Sequence, residues 1–307
     1  MPKTPKNRGK PANACIFMET ADHADHRGIT AEHVWPQWQD ELFPRDLSSN
    51  ACHMQRLIDV KGKGNVLTLA MRGTDHRGPA ASKKLRVACV NCNGGWMSMI
   101  ETAGKQIMVE LIGGTCKSIS VEQQLDLCRW VMLKAIVSEF TDPATMAISL
   151  SDRMYLKNNR SVPPTRWKIW IGQFLGGDPQ YSRSYSHTGT AAIKMGEVVP
   201  DGIACNEQST TFVFGELMMY ATSSATGLVE HNSPDRSLVQ IWPPLGHEIP
   251  WPPALPLGDD QVEKISNSLL SRAMIESPEK IAHVKTCPSF LGFFERIPPA
   301  RKLDNGN

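Results

Sequence analysis

The residues with the clearest chemical spacing are Cys89 and Cys92, which are separated by two residues and followed by Asn93. Two thiolates at this spacing on a tight turn can both bind one zinc ion. The chain has 307 residues and eight cysteines, which are too few for a disulfide scaffold. The pattern therefore predicts reduced thiols and a structural Zn²⁺ site at this turn.

The other half of such a zinc site is incomplete. Cys15 is the natural third ligand, but Met18 stands where a second cysteine is expected. A neutral thioether binds Zn²⁺ far more weakly than a thiolate or an imidazole does. His23, His26 and Cys52 remain alternatives for the fourth ligand by residue type. The competing interpretation is that the metal has been lost and that hydrophobic packing replaces it.

A second segment, Thr30 to Trp38, places a carboxylate beside an imidazole at Glu32 and His33. In an extended strand the two side chains project to opposite faces, unless a bulge or a turn brings them together. Pro36 indicates an early end to such a strand. An imidazole can act as a general base near neutral pH, and a carboxylate oxygen can bind Mg²⁺. By itself, however, a Glu-His pair is more often a surface pair than a catalytic one.

Together the two segments resemble the HNH endonuclease family, in the members that carry Glu-His-x-x-Pro followed by Cys-x-x-Cys-Asn. The resemblance covers about residues 13–112 and implies a ββα-metal finger, a hairpin bearing the histidine followed by a helix. It implies that Glu32 and Asn93 bind a divalent ion, Mg²⁺ or else Mn²⁺ or Ni²⁺, and that His33 is the general base. The implied substrate is nucleic acid, DNA rather than RNA.

A bacterial and phage subgroup of that family is more similar still. The residues that fit its pattern are Trp38, Gly95, Trp96, Met97, Ser98, Glu101, Ile241–Pro243 and Trp251–Pro253. The middle asparagine that gives the family its name has only positional candidates, Asn50 and Asn65. The alternative function is a nucleic-acid-binding module that keeps the finger but has lost catalysis, with Met18 as the first sign of decay. A separate alternative is that Asn93 caps the helix that follows it, a position from which its side chain would also face the ion.

Composition and charge restrict the other function classes. The formal net charge of +2 is too small to indicate nucleic-acid binding by itself, although the first 12 residues form a basic tail that we expect to be disordered. No apolar run approaches the roughly 20 residues that a membrane-spanning helix needs. The N-terminus lacks the apolar stretch of a signal peptide, so we expect a cytoplasmic protein with no membrane contact.

The elements that must position these residues indicate an α+β fold in two domains. A short strand should lead into His33, a second strand should cover Asn65 to Leu69, and a helix should follow Gly95. Gly113 and Gly114 should end that helix. We place the domain boundary there, between an HNH nuclease domain of residues 13–112 and an α+β domain of residues 113–307 with no assigned role.

The second domain has one element with a strong local signal. Ser120 and Gln123 form a capping box at the start of a helix that should end near Phe140. The remaining predicted elements are strands at 166–174, 210–221 and 237–242, an irregular proline-rich loop at 242–256 and a helix from Asp259 to about Ile275.

Overall fold

The computed structural model describes residues 15–18, 28–42, 59–63, 66–71, 84–141, 145–159, 163–178, 183–194 and 205–269. These ranges form a mixed α+β structure, the fold class that the sequence predicts, and its sheets are antiparallel. The predicted basic tail lies outside the described residues. So do the candidate residues His23, His26, Asn50, Cys52 and Asn65.

The N-terminal part contains the elements that the two motifs require. In chain order they are β1 (Ile29–His33), α1 (Gln39–Leu42), β2 (Asp59–Lys63), β3 (Val66–Met71), β4 (Lys84–Cys89), α2 (Val90–Cys92), a π-helical stretch (Asn93–Met97) and α3 (Ser98–Ile112). Strands β1 and β4 form a separate two-stranded antiparallel sheet. The strand predicted before His33, the strand predicted near Leu69 and the helix predicted after Gly95 are confirmed.

The C-terminal part contributes five strands of a seven-stranded sheet and the longest helix of the described residues, α4 (Val121–Glu139). Its elements are β5 (Ser118–Ile119), α4 (Val121–Glu139), α5 (Leu150–Asn159), β6 (Trp167–Gln173), β7 (Arg183–Lys194), β8 (Glu207–Phe214), β9 (Leu217–Ser224), β10 (Val239–Trp242), β11 (Ile249–Pro250) and α6 (Asp259–Ser266). None of the helices within the described ranges is long and apolar enough to span a membrane.

A seven-stranded antiparallel sheet with the order β10-β6-β9-β8-β7-β3-β2 joins the two parts of the chain. Strands β2 and β3 precede the predicted domain boundary, and the other five follow it. Trp35, just after β1, packs edge-on against Phe214 of β8, with ring centroids 4.8 Å apart. The two-domain division stays a prediction, and one hydrophobic core contains residues from both sides of it.

Helix α4 forms where the sequence predicts it, because its start signal is local. Ser120 Oγ accepts a hydrogen bond from the Gln123 backbone N–H (3.2 Å), and Gln123 Oε1 accepts one from the Ser120 N–H (2.9 Å). Helix α3 approaches α4 closely at Gly104, where an added Cβ would lie 3.1 Å from the Trp130 side chain. Further along α4, Lys134 contacts Glu32 of β1.

Several predicted elements differ from the observed ones. The single run predicted at 210–221 is a hairpin of β8 and β9, because Gly215 adopts a φ of 53° and permits a two-residue turn. The late helix begins at Asp259 as predicted, and α6 ends at Ser266 with Asn267 as its C-cap; the predicted end near Ile275 lies outside the described residues. The proline-rich loop contains β11, which pairs with β5.

Candidate functional site

The β1–β4 sheet positions Glu32 and His33. Glu32 lies opposite Leu85 and His33 lies opposite Lys84, after a bulge that leaves one extra residue on β4. Strand β1 ends at His33, and the next residue, Val34, is buried with 1% of its surface exposed. Because the chain turns at this point, the neighbouring carboxylate and imidazole both border one cavity.

Asn93 reaches the same cavity from the other segment. Its side-chain Nδ2 donates to Thr30 Oγ1 (3.0 Å), and Thr30 Oγ1 donates to the Ala88 carbonyl (3.0 Å). The alternative that Asn93 caps the following helix is wrong, because its backbone is helical (φ −66°, ψ −53°) and its amide binds β1 instead. The hydrogen bond uses the amide nitrogen, so the amide oxygen is the atom suited to bind an ion.

The cavity has a volume of about 480 Å³ and brings the three predicted catalytic residues together. Glu32, His33 and Asn93 all border it, although they come from segments about 60 residues apart in sequence. Glu101 and Lys134 border it as well. The sequence motif includes Glu101 without giving it a role, whereas Lys134 belongs to neither motif.

Lys134 is fully buried in α4 and contacts both carboxylates of the cavity. Its Nζ donates to Glu32 Oε1 (2.8 Å) and to the His33 carbonyl (3.0 Å), and it forms an ion pair with Glu101. Burial alone would lower the pKa of Lys134, but the carboxylates of Glu101 and Glu32 outweigh burial and raise the pKa. The lysine is therefore an ammonium ion inside the protein.

The sequence contains one signal for Lys134 that motif analysis misses. The residue interrupts the run Trp130 to Val137, in which all the other side chains are apolar and buried. Lysine is almost never fully buried unless it is paired with an acid. A lysine in such a run therefore predicts an acidic partner in the core, although it does not say which one.

Cys15, Cys89 and Cys92 are buried together, and their sulfur atoms all lie within 4.8 Å of one another. The Ile16 backbone N–H donates to the Val87 carbonyl (2.9 Å), which holds Cys15 beside the end of β4. The Cys92 N–H donates to Cys89 Sγ (3.3 Å). These three side chains form a possible metal site of the thiolate type that Zn²⁺ favours.

A hydrogen bond between two thiols of this cluster changes their acidity. The hydrogen bond from Cys92 lowers the pKa of the Cys15 thiol to about 5, and the same contact raises the pKa of Cys92. The lowered pKa favours the thiolate form of Cys15, which is the form that coordinates a metal.

The described residues place three ligands in the cysteine cluster, whereas a structural zinc site normally has four. Met18, the residue at the expected cysteine position, is half-buried and packs against the hydrophobic core. The other candidates for the fourth ligand are His23, His26 and Cys52, which lie outside the described residues.

The charges around the cavity favour a cation. Glu32 and Glu101 supply two negative charges, and Lys134 supplies one positive charge. With a neutral imidazole at His33, these groups carry a net charge of about −1. Carboxylate and amide oxygens are the donors that Mg²⁺ prefers, so Glu32 and Asn93 fit such an ion by donor type.

Comparisons with known proteins do not assign the chain to a family. No protein-family model matches it, and neither a curated protein nor a solved structure matches it.

Proposed function

We propose that this chain is a metal-dependent endonuclease of the HNH type, which hydrolyses phosphodiester bonds in nucleic acid, DNA rather than RNA. The observation that carries the proposal is that Glu32, His33 and Asn93 border one cavity. Glu32 and His33 lie on β1, which pairs with β4, and Asn93 follows β4 ahead of helix α3, in the strand-strand-helix order expected of a ββα-metal finger. The two strands are not the expected hairpin, because α1, β2 and β3 separate them in the chain.

Each of the three residues has a distinct proposed role. The Glu32 carboxylate and the Asn93 amide oxygen hold the catalytic ion, Mg²⁺ or else Mn²⁺ or Ni²⁺. A bound divalent ion would offset negative charge on the scissile phosphate and on the leaving 3′ oxygen. His33 takes a proton from a water molecule, which then attacks phosphorus in line with the leaving oxygen. The hydrogen bond from Asn93 to Thr30 fixes the orientation of the amide.

We also propose that the cluster of Cys15, Cys89 and Cys92 holds a structural Zn²⁺ ion. Cys92 directly precedes Asn93, so a metal that fixes this turn also fixes the asparagine. The buried position of the three thiols supports a structural role, because a catalytic zinc site keeps one position open to solvent or substrate.

A catalytically inactive nucleic-acid-binding module is the second candidate. The ion pair between Glu32 and Lys134 favours it, since the carboxylate that should bind the catalytic ion already has a cationic partner. Met18, which stands where the zinc motif expects a cysteine, is consistent with this alternative. The two candidates differ in one property, which is metal-dependent cutting.

The test is nicking of supercoiled plasmid by the purified protein in Mg²⁺, with the same reaction in EDTA as the control. The reactions are run at moderate salt, so that contacts between the protein and the DNA phosphates are retained. The nuclease proposal predicts nicked or linear product in Mg²⁺ and none in EDTA. If the folded protein binds the plasmid but leaves it intact in Mg²⁺ and in Mn²⁺, the binding module becomes the better interpretation.

A further inference from the structure

We propose that Lys134 is a positioning residue of the ion site: it holds the Glu32 carboxylate at the cavity and lowers the affinity of the site for the divalent ion. The inference rests on the proposed function, because it concerns the same cavity. It goes beyond the proposed function because it states that a residue of α4, a helix outside both sequence motifs, sets the affinity of the cavity for the metal ion.

The contacts of Lys134 account for the positioning role. Its Nζ binds Glu32 Oε1 at 2.8 Å and the backbone carbonyl of His33 at 3.0 Å, so one ammonium group fixes two consecutive residues. Both contacts are buried or partly buried. Helix α4 is itself held close to α3 where Gly104 meets Trp130. The position of the Glu32 carboxylate therefore depends on the packing of two helices.

Charge accounts for the effect on affinity. A fully buried ammonium group needs anionic partners, and Lys134 has two of them in Glu32 and Glu101. A divalent ion that binds Glu32 has to share this carboxylate with a cation 2.8 Å from one of its oxygen atoms. Repulsion between the two cations is strong at such distances inside a protein. The site should therefore bind its ion more weakly than the same oxygen donors would without the lysine.

This role predicts a result that a purely structural role does not. If Lys134 only stabilised the fold, its removal would weaken metal binding and activity together. If Lys134 positions Glu32 and repels the ion, its removal should strengthen metal binding while the turnover rate falls, because Glu32 and His33 lose their common support. Opposite changes in the two quantities thus identify the proposed role.

The experiment measures Mn²⁺ binding to the full chain, by the loss of the free Mn²⁺ signal in electron paramagnetic resonance. Lys134→Met has a similar shape without the charge, and it should bind Mn²⁺ about tenfold more tightly than wild type. Its nicking rate at saturating Mg²⁺ should fall, and the Mg²⁺ concentration for half-maximal activity should fall too. Lys134→Arg, which keeps the charge, should return the affinity toward that of wild type.

Two further variants keep the test valid if Lys134→Met folds poorly with two unpaired carboxylates. Glu101→Gln removes one of the carboxylates, so the double variant Lys134→Met/Glu101→Gln is compared with Glu101→Gln alone. The double variant should again bind Mn²⁺ about tenfold more tightly. Lys168→Met is the matched control, because Lys168 is a half-buried lysine of β6 that does not border the cavity, and its replacement should leave the affinity unchanged.

Unchanged or weaker Mn²⁺ binding in both Lys134→Met backgrounds overturns the inference. The variant Glu32→Gln distinguishes this failure from failure of the proposed function. If Glu32→Gln abolishes Mn²⁺ binding but Lys134→Met does not alter it, the ion site stands and only the role of Lys134 is wrong. If Glu32→Gln leaves Mn²⁺ binding intact, Glu32 does not hold the ion and both proposals fail.

Discussion

Replacing His33 with alanine is expected to lower the rate of Mg²⁺-dependent nicking by about 10²- to 10⁴-fold, which is the usual contribution of a general base. The imidazole borders the cavity, and an imidazole can accept a proton from water near neutral pH. His33 is only half-buried, so its removal should leave the protein folded. The measurement is the single-turnover nicking rate at saturating Mg²⁺, where metal binding does not limit the reaction.

The matched control for this variant is His247→Ala. His247 is exposed, and its Nδ1 contacts the Glu248 carbonyl (2.8 Å) outside the cavity. We expect wild-type rates from this variant. A His33→Ala protein that nicks plasmid as fast as the His247→Ala protein does would mean that His33 is not the base and that any cutting occurs elsewhere.

The second large effect is expected for Cys89→Ser, which should lose the structural Zn²⁺. A serine hydroxyl is a much poorer zinc ligand than a thiolate, and the cluster has only three ligands among the described residues. Because Cys89 ends β4 and its sulfur also accepts the Cys92 N–H, the turn that carries Asn93 should loosen. We expect the free energy of unfolding to fall by at least about 3 kcal/mol.

The measurements for this variant are zinc content by elemental analysis and stability by urea unfolding. Cys116→Ser is the control, since Cys116 is a buried cysteine outside the cluster whose sulfur donates to the Ser118 carbonyl. It should keep one zinc per chain. The zinc proposal is wrong if wild type purifies without zinc and a chelator leaves its unfolding curve unchanged.

The sequence predicts the elements whose signals are local. Helix α4 has a capping box at Ser120, and α3 ends at a glycine pair after an apolar stripe. The cysteine spacing predicts a tight turn, and the structure has the short helix α2 at that place. The sequence also predicts Cys15 as the third ligand, because Cys15 to Met18 resembles a two-residue-spaced cysteine pair whose second cysteine has become methionine, and the structure places Cys15 beside Cys89 and Cys92.

The elements that the sequence did not predict depend on distant contacts. Strand β7 lacks an apolar pattern because it buries polar side chains, among them Ser184, His187 and Thr190. His187 of this strand shares a hydrogen bond with Thr210 (2.8 Å) and contacts the Thr145 carbonyl (3.2 Å). A pattern that relies on alternating hydrophobicity cannot detect such a strand.

In the candidate site, too, some residues can be predicted from sequence motifs and others only from the packing of distant segments. The Glu32-His33 pair and Asn93 are visible as motifs, so the sequence names the three residues that meet at the cavity. Lys134 is 102 residues from Glu32, and only the packing of α4 brings the two together. A local motif does not include such a residue. A single lysine within an apolar helical run nevertheless indicates that an acidic partner lies in the core.

The most direct test of the proposed site is to locate a divalent ion in it by anomalous scattering from crystals grown with Mn²⁺. We predict one ion in the cavity, bound to the Glu32 carboxylate and the Asn93 amide oxygen, with His33 facing it. Mn²⁺ bound by other residues at saturating concentration, with the cavity empty of the ion, would contradict the proposed metal-dependent nuclease site.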